Sequence, residues 1–214
     1  MPTQLSNHHG RYLLKNIELK FIKPLARHIP SYIGTQHLTY MTIAWSIGVI
    51  ACGYLYKTSN FYILGVSLLI FFQYMTDILD GEVGRTRNTG LVQWGYYVDH
   101  FLDYIFMSSL FFCYILIVPD NLNIIFVIYL ILTAFMINSF LLTAITGTFT
   151  ISYFGLSPAE LRLILIVINT LLFFSGNWFL TKLLTALVAF LFVAIVYTVY
   201  TTQKTIWKID LKKN

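Results

Sequence analysis

Six apolar runs, each close to the length that crosses a bilayer, take up most of this chain and leave it few alternatives to a bundle of membrane helices. They fall at about residues 36–56, 61–80, 93–118, 123–145, 158–176 and 180–201. A hydrocarbon core about 30 Å thick needs ~20 apolar residues in a helix rising ~1.5 Å per residue, and a helix satisfies its own backbone polar groups where no water can. Short polar or turn-forming breaks separate the runs: KTSN (57–60), GEVGRTRNTG (81–90), PDN (119–121), TGTFTISYFGLSP (146–158) and GNW (176–178). Composition agrees, with 57% hydrophobic and 11% charged residues, against roughly 25% charged in soluble domains. The expected fold is all-α, an integral membrane bundle of six transmembrane helices spanning residues 34–203, preceded by residues 1–33 and followed by a basic tail, 204–214.

Charge orients the bundle. With the N-terminus in the cytoplasm, all of the 14 basic residues except Lys57 and Lys182 fall on the cytoplasmic side, as the excess of positive charge in cytoplasmic loops requires. The formal charge of +5 therefore reads as contact with a membrane surface rather than with nucleic acid. Ahead of the first run, RYLLKNIELKFIKPLARHI sets Leu14, Ile17, Phe21 and Leu25 at helical spacing, with Lys15, Lys20, Lys23 and Arg27 largely off that stripe. This predicts an amphipathic helix in the interface, its bases toward anionic headgroups. No apolar core with a cleavage site follows MPTQLSNHHG, so no removable signal peptide is expected. Cys52 and Cys113 each lie inside an apolar run without metal-binding spacing, as small buried residues do.

Against this background the segment DILDGEVGRTRNTGLVQWGYYVDHFLD, residues 77–103, stands out. Asp77 and Asp80 are spaced to share one helix face, and so are Asp99 and Asp103. Acids in membrane segments cost energy and mark function by default. Snorkelling or ion pairing is the plain alternative, but only Arg85 and Arg87 lie nearby in sequence, leaving charge uncompensated. Oxygen ligands without cysteine suit a hard cation, Mg2+ or Mn2+, as one or two ions. Gly81, Gly84, Gly90 and Gly95 permit close approach to the backbone, and Arg85 offers a fork suited to phosphate. Lone glycines in membrane helices are often packing positions, but in this combination they outline a diphosphate site.

These residues resemble the CDP-alcohol phosphotransferase signature, D-x2-D-G-x2-A-R-x8 or 9-G-x3-D-x3-D. It is met here by Asp77, Asp80, Gly81, Arg85, Gly95, Asp99 and Asp103, with Gly84 in place of the alanine. The resemblance implies that Asp77, Asp80, Asp99 and Asp103 hold divalent metal and that Gly81 and Arg85 contact the CDP moiety. It further implies transfer of a substituted phosphate from a CDP-linked donor to an alcohol hydroxyl with release of CMP, in a homodimer. Asp103 is the candidate general base. Gly84 is expected to keep or enlarge the space beside the nucleotide.

Outside the signature, His100, about a hundred degrees from Asp99 on a helix, is read as structural, and Glu82 as solvated. Trp94, Tyr96 and Tyr97 are read as an interfacial aromatic belt. SPAELR, residues 157–162, has the pattern of a helix-capping box. Because its span also starts at the cytoplasmic face, Glu160 and Arg162 are candidates for the acceptor pocket. HLTYMT, residues 37–42, is a weaker echo of a nucleotide-base segment.

The compact six-span layout resembles that of the family members that use CDP-diacylglycerol, which implies a lipid donor entering between the helices. The Asp99-His100 pair is similar to that of the CDP-choline and CDP-ethanolamine aminoalcohol phosphotransferases, which are usually longer. An intramembrane prenyltransferase is disfavoured because its acidic motifs usually lie on well-separated helices. A cation transporter is disfavoured because the acidic cluster lies in one half of the chain and near one face.

Overall fold

The computed structural model describes residues 24–89, 91–147, 158–176 and 178–211. A short helical turn at 24–28 leads into six helices: α1 (Thr35–Leu55), α2 (Tyr62–Arg87), α3 (Val92–Ile117), α4 (Leu122–Thr146), α5 (Pro158–Ser175) and α6 (Leu180–Leu211). The described residues contain no strand. All of these helices except α5 are long and apolar enough to cross a membrane. The fifth expected span, 158–176, falls on α5, the shortest at 18 residues. Most of the expected amphipathic helix, Ser157 of the expected capping box, and Gly90 lie outside the described residues.

Two helices run beyond their apolar runs. The α2 helix continues through GEVGRTR to Arg87, and α6 continues to Leu211. Hydropathy marks where a chain leaves oil, whereas a helix ends where its backbone turns away. For α2 that point is Asn88, in the left-handed region at φ 49°, a conformation asparagine tolerates as a helix stop. Arg85 and Arg87 occupy the last turn, where the helix dipole favours cations.

Burial in the described residues is dominated by one apolar cluster. Val49 of α1, Ile63, Val66 and Ile70 of α2, and Cys113 of α3 are all 0% exposed within it. Helices that gain nothing from hiding apolar surface in lipid associate through close packing of small residues. Gly53 shows this: an added Cβ would lie 3.0 Å from Cys113 Cα, so α1 and α3 meet backbone to backbone there. The outer surface carries large exposed apolar side chains, among them Ile47, Phe112, Phe174 and Val193, as a lipid-facing surface does.

The packing order sets the site. The first helix, α1, packs on both α2 and α3, which scarcely touch each other along their backbones, and α5 packs on α2. A cleft between α2 and α3 is therefore floored by α1 and flanked by α5.

Candidate active site

All four signature aspartates belong to this cleft. Asp80 precedes the end of α2 by as many residues as Asp99 follows the start of α3, so a rise of ~1.5 Å per residue puts them at similar depth. Asp99, His100 and Asp103 form a group whose ligand atoms all lie within 4.8 Å of one another. Two carboxylates and an imidazole are a donor set that fits a hard to borderline divalent ion such as Mg2+ or Mn2+. Asp77 and Asp80 stand outside that group, each bonded to a side chain from another helix. The Thr39 hydroxyl donates to Asp80 Oδ2 at 2.7 Å, and Asp80 is buried at 6% exposure.

The counter-charge comes from an unexpected quarter. Neither Arg85 nor Arg87 pairs with the four aspartates. Arg162 on α5 does, donating through Nη1 to Asp77 Oδ2 at 2.8 Å and through Nη2 to Asp103 Oδ1 at 3.0 Å. The same Asp103 oxygen accepts from Gln73 Nε2 at 3.1 Å. The Tyr74 ring lies 5.8 Å from the guanidinium carbon of Arg162. Arg162, placed by sequence in an acceptor pocket, thus reaches the carboxylates themselves and ties α2 to α3 across the cleft. Its companion Glu160 is buried.

Arg85 instead closes on Glu82, with Nε at 3.1 Å and Nη2 at 2.9 Å from Oε2. Glu82, expected to be solvated, is engaged by that fork, its side chain only 13% exposed. Arg87 acts on the backbone, donating to the carbonyls of Ile29, Pro30 and Ile33 at 2.7, 3.1 and 2.6 Å. It clamps the segment before α1 to the end of α2. One turn back, a Cβ at Gly84 would meet Thr35 Oγ1 at 3.4 Å. The glycine therefore faces α1 rather than opening space beside a nucleotide, and an alanine would make ordinary contact. Gly95 borders open space, and a Cβ at Gly81 would first meet the Arg85 guanidinium, at 3.6 Å.

His100 has a larger place than its helical position implies. Its Nδ1 turns back to 3.2 Å from Asp99 Oδ2, and its ring packs 4.4 Å from Tyr96 and 5.7 Å from Phe140. Helical spacing fixes the direction of Cβ, not the reach of an imidazole beyond it. Gln73 is not among the sequence candidates, and Thr39 enters them only within HLTYMT. The available signal was a polar residue one helical turn from a motif aspartate inside an apolar run, as Gln73 is to Asp77. Trp94 packs edge-on against Tyr40, and Tyr97 is 68% exposed, as an interfacial belt residue is.

No curated protein compared with this sequence matches it. The family model for CDP-alcohol phosphatidyltransferase matches residues 35–207, a stretch that opens with the first residue of α1 and takes in every residue of the cleft. The protein is therefore a multi-pass membrane member of the CDP-alcohol phosphatidyltransferase family, transferases of phospholipid synthesis that move a phosphate group from a CDP-linked alcohol.

Proposed function

We propose that the protein transfers a phosphatidyl group from CDP-diacylglycerol to the hydroxyl of a small alcohol, releasing CMP, at the cytoplasmic edge of the bilayer. The observation that carries this reading is the convergence of Asp77, Asp80, Asp99 and Asp103 on one cleft within a chain of this family. Asp77, Asp80, Asp99 and Asp103 would hold Mg2+ or Mn2+, and His100, grouped with Asp99 and Asp103, would add a nitrogen ligand. When bound, one or two such ions would offset charge on the diphosphate and on the departing CMP.

The chain's own residues account for the rest. Gly81, Arg85 and Gly95 lie where the cleft's helices leave the membrane, Gly95 bordering open space, whereas Gly84 serves the packing of α2 on α1. A diphosphate can approach the backbone there, with Arg85 donating to it once its fork leaves Glu82. Asp103, whose side chain is 29% exposed, takes the proton of the acceptor hydroxyl through the oxygen that Arg162 and Gln73 leave free. Glu160 and Arg162 border the acceptor from α5. A lipid donor suits a site set between membrane helices, α2 and α3, whose backbones scarcely approach each other. The cytoplasmic placement rests on the distribution of Lys and Arg. The boundaries 1–33, 34–203 and 204–214 and a homodimeric state belong to the same proposal.

The aminoalcohol alternative keeps one observation in its favour, the Asp99–His100 contact. The test is CMP release by the purified protein in detergent with Mn2+ or Mg2+, offering CDP-diacylglycerol or CDP-choline against a panel of alcohols. CMP formed with CDP-diacylglycerol is the expected result. CMP formed only with CDP-choline would overturn the choice of donor.

A further inference from the structure

We propose that Arg162 is a built-in counter-cation that competes with divalent metal for Asp77 and Asp103, so that metal loading frees its guanidinium for a phosphate. This rests on the reading above, that the four aspartates are metal ligands.

The four carboxylates divide into two unlike pairs. Asp80 is held by the Thr39 hydroxyl and Asp99 by the His100 imidazole. Asp77 and Asp103 share one guanidinium, at 2.8 and 3.0 Å. Asp103 Oδ1 also accepts from Gln73 at 3.1 Å. A carboxylate oxygen has few lone-pair directions, and Mg2+ binds oxygen at ~2.0–2.1 Å. An ion placed on these oxygens and the guanidinium already on them exclude each other by both space and charge.

The displaced arginine has little solvent to turn to. Its side chain is 13% exposed, Tyr74 lies against it, and α5 anchors it beside α2. A buried guanidinium without an anion is costly, so it would require a replacement for the carboxylates. A tetrahedral phosphate fits the same fork. Exchange of partners then links the arrival of metal to the readiness of the site for its anionic substrate. An arginine serving only to tie helices together would not weaken metal binding.

The experiment is Mn2+ binding followed by electron paramagnetic resonance on the purified full-length protein in detergent, for wild type, Arg162→Gln, Arg162→Lys and Asp99→Asn. Removing the competing charge should tighten Mn2+ binding by roughly tenfold in Arg162→Gln. Arg162→Lys, which keeps the charge but offers one nitrogen in place of the two that Arg162 uses, should show a smaller gain and carries the test if the glutamine variant does not fold. Affinity equal to or weaker than wild type in whichever variants fold overturns the proposal. Asp99→Asn separates the two levels of the argument. Mn2+ binding lost in Asp99→Asn but unimproved at Arg162 would refute the competition alone. Mn2+ binding kept in Asp99→Asn, or absent from every form, would refute the metal reading and this inference with it.

Discussion

The two halves of α2 are built on different rules. In the first, Ile63, Val66 and Ile70 are fully buried among Val49, Phe106 and Cys113, with packing as the only specification. In the second, Gln73, Asp77, Asp80 and Arg87 each bond to a partner on another segment. Packing in lipid asks for shape and tolerates many apolar sequences. Buried polar groups ask for one partner at one distance. The first half thus fixes where α2 stands, and the second fixes what it can do. Functional change should be cheap to cause in the second half without unfolding the first.

The strongest way to break that division is Asp103→Asn. It removes the candidate base and a metal ligand yet keeps an acceptor for Arg162 and Gln73. CMP release should fall by about a thousandfold, within the range for losing a general base, with the thermal midpoint in detergent nearly unchanged. A variant that keeps turnover would remove Asp103 from the chemistry. A smaller effect should follow from Arg85→Lys, since an ammonium cannot reproduce a bidentate fork. The expected rise in KM for the donor is about tenfold, equivalent to about 1.4 kcal/mol, with kcat little altered. An unchanged KM would leave Arg85 to its Glu82 contact alone.

The reverse comparison uses the apolar half. Gly53→Val forces a branched side chain against the Cys113 backbone and should cost about 1–3 kcal/mol of stability, the usual range for overpacking. Below the unfolding transition the donor KM should stay at its wild-type value. A shift in KM without loss of stability would mean that the two halves are coupled more closely than their contacts imply.

The same division explains what the sequence could disclose. The length of the apolar runs and the polar breaks between them locate α1, α3, α4 and α5 to within about two residues at each end, because burial in lipid is a property of each segment by itself. Spacing found Asp77, Asp80, Asp99 and Asp103 for the same reason, as their relations are local to α2 and α3. Arg162 was visible as a polar residue at a helix start, but not as the partner of carboxylates, since Asp77 lies 85 residues away in the chain. Nothing local records which helix packs beside which. The particular contacts of Thr39 and His100 are illegible in the sequence on similar grounds. One acts across a helix interface, and the other acts through a side-chain torsion that helical spacing does not fix.

The central claim is that carboxylates drawn together in the cleft hold divalent metal for transfer from a CDP-linked donor. Its most direct test is CMP release from CDP-diacylglycerol and an accepted alcohol, before and after chelation, with metal then restored. Turnover should vanish on chelation and return with Mg2+ or Mn2+. Turnover indifferent to chelation would contradict the claim.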